Sequence, residues 1–390
     1  MKNEIIPEYG YLSLNHVGEQ LCGDSVAVVQ PDENTQILVL ADGMGSGVKA
    51  NILSTLTATM MSTMLARNVA FDDCVETILS TLPVCKEREA NYCTFTAISV
   101  SGGRHAEIYN YDNPEPFLIR GGKSQPLYFL TGEVAGKQID RAALEVEPGD
   151  CIVMMSDGCI HAGVGVTLNY GWELPQIMNF MQANFRKDAS AKNLATLLVD
   201  RCNALYEDKP GDDTSCAVVR IRERSQANIM FGPPAKPRDD EKACSLFFGL
   251  EGKHIVCGGV TAAVAARYLG KEILPDNVNM DETIPPMSII DGVDLVTEGM
   301  LTLQRVTEYA EDYLGRNSRS FDWNCSLDGA SLIASALFEE ATDINFFIGT
   351  AMNTAYQDEA EYGYKLKMKI GEKLVSQLRA MNKTVNVTYF

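Results

Sequence analysis

Four short acidic motifs constrain the fold of this chain more than any other feature. They are Gly23-Asp24-Ser25, Ala41-Asp42-Gly43-Met44-Gly45-Ser46-Gly47, Ser156-Asp157-Gly158 and Gly211-Asp212-Asp213-Thr214. Each places an aspartate at or near the end of an apolar, strand-like run. One Asp-Gly pair is an ordinary turn, but four in this order predict a fold that brings distant strand ends together. The aspartates gathered there form an oxygen-rich site suited to a pair of hard divalent cations.

The pattern around the motifs alternates strands with two helical zones. Ser25 to Gln30 and Gln36 to Ala41 read as a hairpin across Pro31-Asp32-Glu33-Asn34. Val48 to Arg67 has no proline or internal glycine and carries Ile52, Leu56, Met60 and Met64 at four-residue spacing, which predicts a helix with a buried stripe. A weaker helix is expected over Phe71 to Leu82. Tyr92 to Val100 and Arg104 to Tyr111 pair across Ser101-Gly102-Gly103. Strands over Phe117 to Arg120, Cys151 to Met155 and Cys216 to Ile221 follow, with a helix over Ala189 to Tyr206. The expected class is α+β: two packed, mainly antiparallel sheets flanked by helices.

Length and composition bound the rest. The chain has 390 residues, more than one hydrophobic core usually serves, and is 46% hydrophobic and 22% charged, so two folded domains are expected. A net charge of -19 argues against nucleic-acid binding by bulk electrostatics. No apolar run is long enough for a membrane span, and the opening residues Met1 to Glu8 lack the apolar segment of a secretory signal. The 11 cysteines show no paired ligand spacing, and their odd number fits a reducing compartment such as the cytoplasm. Residues 1–223 are expected to form the first domain and 224–240, with Gly232-Pro233-Pro234 and Pro237, a linker. Residues 241–390 form a smaller α/β domain, with a strand at His254 to Cys257 and helices over Thr261 to Tyr268, Met300 to Leu314 and Leu332 to Glu340.

The four motifs, in this order and spacing, resemble those of the metal-dependent serine/threonine protein phosphatases (the PPM class), specifically the bacterial stage II sporulation protein E branch. The resemblance covers residues of about 10–223 and implies an αββα sandwich with two Mn2+ or Mg2+ ions. It implies that Asp42 bridges the metals, that the Gly43 carbonyl and Asp24 serve the second, and that Asp157 and Asp212 hold the first. Water made reactive between the two cations then attacks the phosphoryl group, so Asp42, Asp157 and Asp212 are the expected catalytic residues. The implied substrate is a phosphoprotein, of which an anti-sigma-factor antagonist is one example, and a homodimer is compatible with the resemblance. The helix from Val48 lies where partner domains of that branch exert control, so metal occupancy is expected to follow its position.

The remaining polar residues read more simply. Asp213 orients its neighbour or is a turn residue. Other members of the class place an aspartate for a third metal after the central hairpin, where this chain has Asn110-Tyr111-Asp112-Asn113-Pro114; Asp112 reads instead as a turn former and is left out of the site. Ser46 starts a helix. No histidine has triad context, although His161 follows Asp157 closely enough to approach the site. The stretch that carries an arginine in eukaryotic relatives is Glu19 to Asp24 here and has none, which leaves phosphate recognition unassigned. The C-terminal domain shows no enzyme fingerprint. Its turns Cys257-Gly258-Gly259-Val260-Thr261 and Phe346 to Thr350 are either plain turns or anion sites at helix starts, and a regulatory or partner-binding role is expected. The rival reading for the whole is an inactive phosphatase-fold module that binds a partner.

Overall fold

The computed structural model describes residues 5–32, 35–82, 93–276, 285–351 and 357–390, without the side chains of 357–362. The chain divides into two compact units, Met1–Glu223 and Arg224–Phe390.

In the first unit, β1 (Ile5–Leu14), β2 (Asp24–Asp32) and β3 (Thr35–Gly43) lead into α1 (Gly47–Leu65) and α2 (Phe71–Thr81). Strands β4 (Cys93–Ser101), β5 (His105–Tyr111), β6 (Phe117–Arg120), β7 (Lys123–Pro126), β8 (Leu130–Val134), β9 (Lys137–Glu145) and β10 (Cys151–Met155) follow. The short α3 (Asp157–Ile160), then α4 (Leu174–Ala183), α5 (Ala191–Leu205) and β11 (Thr214–Glu223) complete it. The strands form two antiparallel sheets, ordered β1-β11-β10-β6-β7 and β2-β3-β4-β5-β9-β8.

Side-chain alternation explains the layers. Leu38 and Leu40 of β3, Ile98 of β4, Ile152 and Met154 of β10, and Ala217 and Val219 of β11 fill the space between the sheets. Their sequence neighbours point the other way: Val39, Ala41 and Phe95 pack on α1 and α2, and Val153 and Val218 pack on α4 and α5. The result is the expected helix–sheet–sheet–helix stack. The Glu33–Asn34 turn expected between β2 and β3 lies outside the described residues, but the two strands pair as a hairpin should.

Helix α1 forms where expected, but only the second half of the expected stripe turns inward: Met60 and Met64 pack against the helix-side core, while the first half faces out. Ile52 and Leu56 are 52% and 43% exposed, and the buried face is Ala50, Ser54, Thr57, Ala58 and Met61. The cause is close approach: a Cβ on Gly43 would stand 2.1 Å from the Ala50 carbonyl oxygen. Only small side chains fit where the helix passes this near the strand, so in its first turns size rather than hydropathy selects the buried face, and larger residues such as Met61 are buried farther along.

The second unit is a doubly wound sheet. It contains β12 (Gln226–Phe231), α6 (Asp240–Phe248), β13 (Lys253–Cys257), α7 (Gly259–Leu269), β14 (Leu274–Pro275), β15 (Ser288–Ile289) and β16 (Leu295–Thr297). After these come α8 (Met300–Leu314), α9 (Ser320–Asn324), α10 (Gly329–Ala334), β17 (Asp343–Ile348), α11 (Gln357–Ala380) and β18 (Thr384–Tyr389). The order is β14-β15-β16-β13-β12-β17-β18, with β16, β13, β12, β17 and β18 parallel. Residues 226–231, expected within a linker, are instead the strand on which both halves of this sheet are built. Ala227, Ile229, Met230 and Phe231 are buried on its two faces. The charges before the strand and Gly232-Pro233-Pro234 after it mask a run of six residues. The helix expected over Leu332 to Glu340 is α10 followed by a wider π turn over Ser335–Glu340. Among the described residues no helix is long and apolar enough to cross a membrane.

Candidate metal centre

At one end of the first unit the inward-facing positions of the sandwich change from apolar to polar. Asp24 lies directly opposite Asp42, and Asp42 opposite Thr94, so three inward positions form a row across β2, β3 and β4. On the facing sheet the same parity that buries Met154 and Ala217 sets Ser156, Ser215 and Asp213 inward. Asp157 opens α3 immediately after β10, and Asp212 stands just before β11. The motifs therefore meet because each strand ends at the same edge of the stack.

Asp42, Met44, Gly45, Thr94, Asp112, Asp157 and Asp212 line one cavity of about 350 Å³. Of the five residues expected at the site, Asp42, Asp157 and Asp212 lie on its wall. Asp24 is buried behind Asp42, where its Oδ2 accepts a 2.7 Å hydrogen bond from the Ser156 hydroxyl. Ser156 Oγ in turn accepts from the Ser215 N–H at 2.8 Å. Gly43 closes β3 against α1, and its N–H donates to the Gly23 carbonyl at 3.2 Å.

Two residues on or behind the wall went unassigned in the sequence. Asp112 lines the cavity rather than standing apart. It does sit in a turn, with φ of 57°, and both descriptions hold together. A network fixes that turn: Asn110 Nδ2 donates to the Asn113 carbonyl, Asn113 Nδ2 to Thr96 Oγ1, and the Thr94 hydroxyl to Asn113 Oδ1. Ser156 was visible beside Asp157, but its role depends on a partner 132 residues away. Asp213 is buried, with Oδ1 accepting from the His16 N–H at 3.0 Å. Gly23 makes room for it, since a Cβ there would lie 2.6 Å from Asp213 Oδ2.

The electrostatics of the set are those of uncompensated carboxylates. Burial, then the charges of Asp24, Asp157 and Asp212, pushes the Asp42 carboxyl up to about 10. Burial raises Asp24 to about 7 despite the hydrogen bonds from Ser215 and Ser156. Asp212 is raised by burial and then by Asp157, and His161 offsets this slightly. Asp24 Oδ1 and Asp213 Oδ2 are buried without a hydrogen-bond partner. Oxygen donors, like charge and unmet acceptors fit a hard divalent cation, which supplies the missing positive charge. Among the described residues no three acidic, histidine or cysteine side chains converge closely enough to enclose an ion by themselves. Magnesium-type ions keep several water ligands, so an open set of this kind suits them.

A two-sheet sandwich flanked by helices, with aspartates at the sheet edge, defines a PPM-type phosphatase fold. Residues 32–222 match the family model of stage II sporulation protein E, and this segment is a phosphatase domain of that family. Among solved structures, the phosphatase domain with a regulatory-domain fragment of SpoIIE from Bacillus subtilis is 20% identical with a TM-score of 0.49, covering 57% of this chain and 64% of that one. The RsbU and RsbW domains of a Mycobacterium tuberculosis protein are 14% identical (TM-score 0.45; 62% of this chain, 66% of that one). The catalytic domain of the phosphatase PstP, in complex with two manganese ions, is 15% identical (TM-score 0.40; 56% and 100%). No curated protein matches the chain by sequence.

Proposed function

We propose that the first unit is a metal-dependent phosphoserine/phosphothreonine protein phosphatase of bacterial signalling, and that residues 224–390 form a regulatory domain. The observation that carries this reading is the convergence of Asp42, Asp157 and Asp212 on one cavity wall, with Asp24 held behind them. Asp42, Asp157, Asp212, Asp24 and the Gly43 carbonyl are the proposed ligands of two Mn2+ or Mg2+ ions. When bound, such ions supply Lewis acidity toward the phosphoryl oxygens and lower the pKa of water.

The chain's own residues set the geometry. Ser156 orients the Asp24 carboxylate, and the Ser215 N–H fixes the Ser156 hydroxyl. The Thr94–Asn113 bond holds the turn that presents Asp112 to the same space. The mouth is half-polar and open, suited to a phosphorylated side chain of another protein. A small regulatory phosphoprotein of the anti-sigma-factor antagonist kind is the proposed substrate. The ten described cysteines are all free, which supports a reducing cytoplasm.

The test is hydrolysis of an aryl phosphate and of phosphoserine peptides by the full chain with and without Mn2+. Asp42→Ala, Asp157→Ala and Asp212→Ala should each lower kcat/KM by more than about 100-fold. Ser156→Ala, one step behind the ligands, should cost about 10- to 100-fold in metal affinity. A folded wild type that binds Mn2+ and turns over none of these substrates would instead support a partner-binding module.

A further inference from the structure

The last strand of the second unit leaves its sheet open on one side. Strand β18 pairs with β17 and is the outermost of the seven strands. The Thr384 N–H donates inward to the Thr342 carbonyl at 3.0 Å, and the Phe390 N–H to the Ile348 carbonyl at 3.1 Å. Backbone groups alternate in direction along a strand, so those of Val385, Val387 and Tyr389 point away from β17. Among the described residues these groups meet only Arg379, whose Nη2 donates to the Val385 carbonyl at 3.0 Å. A carbonyl oxygen has a second lone pair to offer.

An edge with unpaired groups is a template for another strand, and folds usually blunt it with charge, proline or brevity. Every other edge strand of the three sheets is blunted in this way. Strand β1 contains Pro7, β2 Pro31, β7 Pro126 and β8 Glu133, and β14 is two residues ending in Pro275. Strand β18 reads Thr384-Val385-Asn386-Val387-Thr388-Tyr389, with no charge, proline or glycine. In a chain of net charge -19, an uncharged edge lets a second copy approach without like charges standing opposite one another.

The strand is also complementary to itself. Laid antiparallel about Val387, it sets Val387 opposite its own copy, Val385 opposite Tyr389 and Asn386 opposite Thr388. The three outward-pointing residues then exchange N–H···O bonds with their opposites. On one face the pairs are Val with Val and Val with Tyr, and β-branched and aromatic cross-strand pairs are favourable. Tyr389, 51% exposed in the single chain, is covered there. On the other face an amide ladder already crosses the sheet in register, from Asn228 through Asn345 to Asn386. Asn345 Nδ2 donates to Asn228 Oδ1 at 2.9 Å, and Asn386 Nδ2 to Asn345 Oδ1 at 3.1 Å. Asn386 is exposed, and its Oδ1 continues the ladder by accepting from the hydroxyl opposite.

We propose that β18 is a dimer interface: two copies of the chain join their β18 strands antiparallel about a two-fold axis at Val387. The contact is isologous, so each cross-strand pair occurs twice. It fuses two seven-stranded sheets into one continuous sheet and removes the unprotected edge from both.

The experiment is sedimentation equilibrium of the full chain over a concentration series, which should show monomer passing to a species of twice its mass. Tyr389→Lys puts a charge on the edge at an exposed position, and Val387→Pro removes an outward N–H. Each should weaken the dimer by about tenfold or more, because symmetry doubles each lost contact. Tyr389→Lys should leave the Tm of the dilute monomer unchanged. The register is read by cross-linking with oxidised glutathione in a Cys325→Ser background, which lacks that exposed thiol. Val387→Cys should form an intermolecular disulfide beyond that of its parent, since directly opposed residues lie about 5.5 Å apart. Tyr389→Cys should not, because its two copies stand about 13 Å apart along the strands. A chain that stays monomeric, a dimer that neither edge variant weakens, or cross-linking through 389 rather than 387 would each overturn the assignment.

Discussion

The Asp42 carboxyl is the residue on which the site's physics turns. Its folded pKa, about 10, lies far above the ordinary carboxylate value because burial and three neighbouring acids oppose its charge. Asp24, at about 7, shares the problem. Unfolded, both release their protons near pH 4, so between that pH and their folded values the folded chain holds more protons than the unfolded one. Metal-free stability therefore falls as pH rises from about 4, through Asp24's range and on through Asp42's. Asp42→Asn removes the conflict. It should raise metal-free stability at pH 8 by about 1–3 kcal/mol, seen as a Tm increase of about 2–4 °C per kcal/mol, and flatten the pH dependence. Thermal melts of both proteins in EDTA across this pH range check this; a lower Tm for the variant at pH 8 would refute it. Stability and metal binding thus oppose one another at this position.

At the scale of elements, α1 is held close to β3 by the absence of side-chain bulk. Gly43→Ala would place a methyl 2.1 Å from the Ala50 carbonyl oxygen, and should destabilise by about 1–3 kcal/mol while weakening Mn2+ affinity through Asp42. Ile52→Lys on the outer face should stay within about 0.5 kcal/mol of wild type. Thermal melts and Mn2+ titrations distinguish the two, and equal effects would contradict the packing described. The same helix shows where sequence reading stops. Four-residue spacing of Ile52, Leu56, Met60 and Met64 revealed a helix but not which side is buried, because the nearness of Gly43 to Ala50 is a tertiary fact. The aspartate motifs were legible because strand ends and tight glycine turns are local. Asp112 was misplaced because Asp-Asn-Pro is sound turn chemistry, and only the fold brings that turn to the cavity. In the second unit, β12 was hidden between charges and prolines. No helix was read over α11, whose stripe of Ile370, Leu374, Val375 and Leu378 is interrupted by Gly371 in a charged segment.

At the scale of the whole molecule, each unit has its own cores: two helix-side clusters and an inter-sheet cluster in the first, and one cluster on each face of the parallel sheet in the second. A unit with its own core can in principle fold alone. Fragments 1–223 and 224–390 should each unfold cooperatively in urea, and Mn2+ should stabilise only the first, by about 2.7 kcal/mol at a hundredfold excess over Kd. A second fragment that stays unfolded, or that gains stability from Mn2+, would contradict this division. A cut at 240 should leave the second fragment unfolded, because it discards β12.

The inward parity shared by Leu40 and Asp42, and by Met154 and Ser156, carries a lesson for how such a gene can change. Losing or gaining one codon midway along β3 exchanges Asp42 for Ala41 or Gly43 on the inner side, while the alternation of the remaining strand shifts with it. Descendants of this chain are thus free to lengthen their surface connections, but the spacing inside the metal-facing strands behaves as a reading frame of its own.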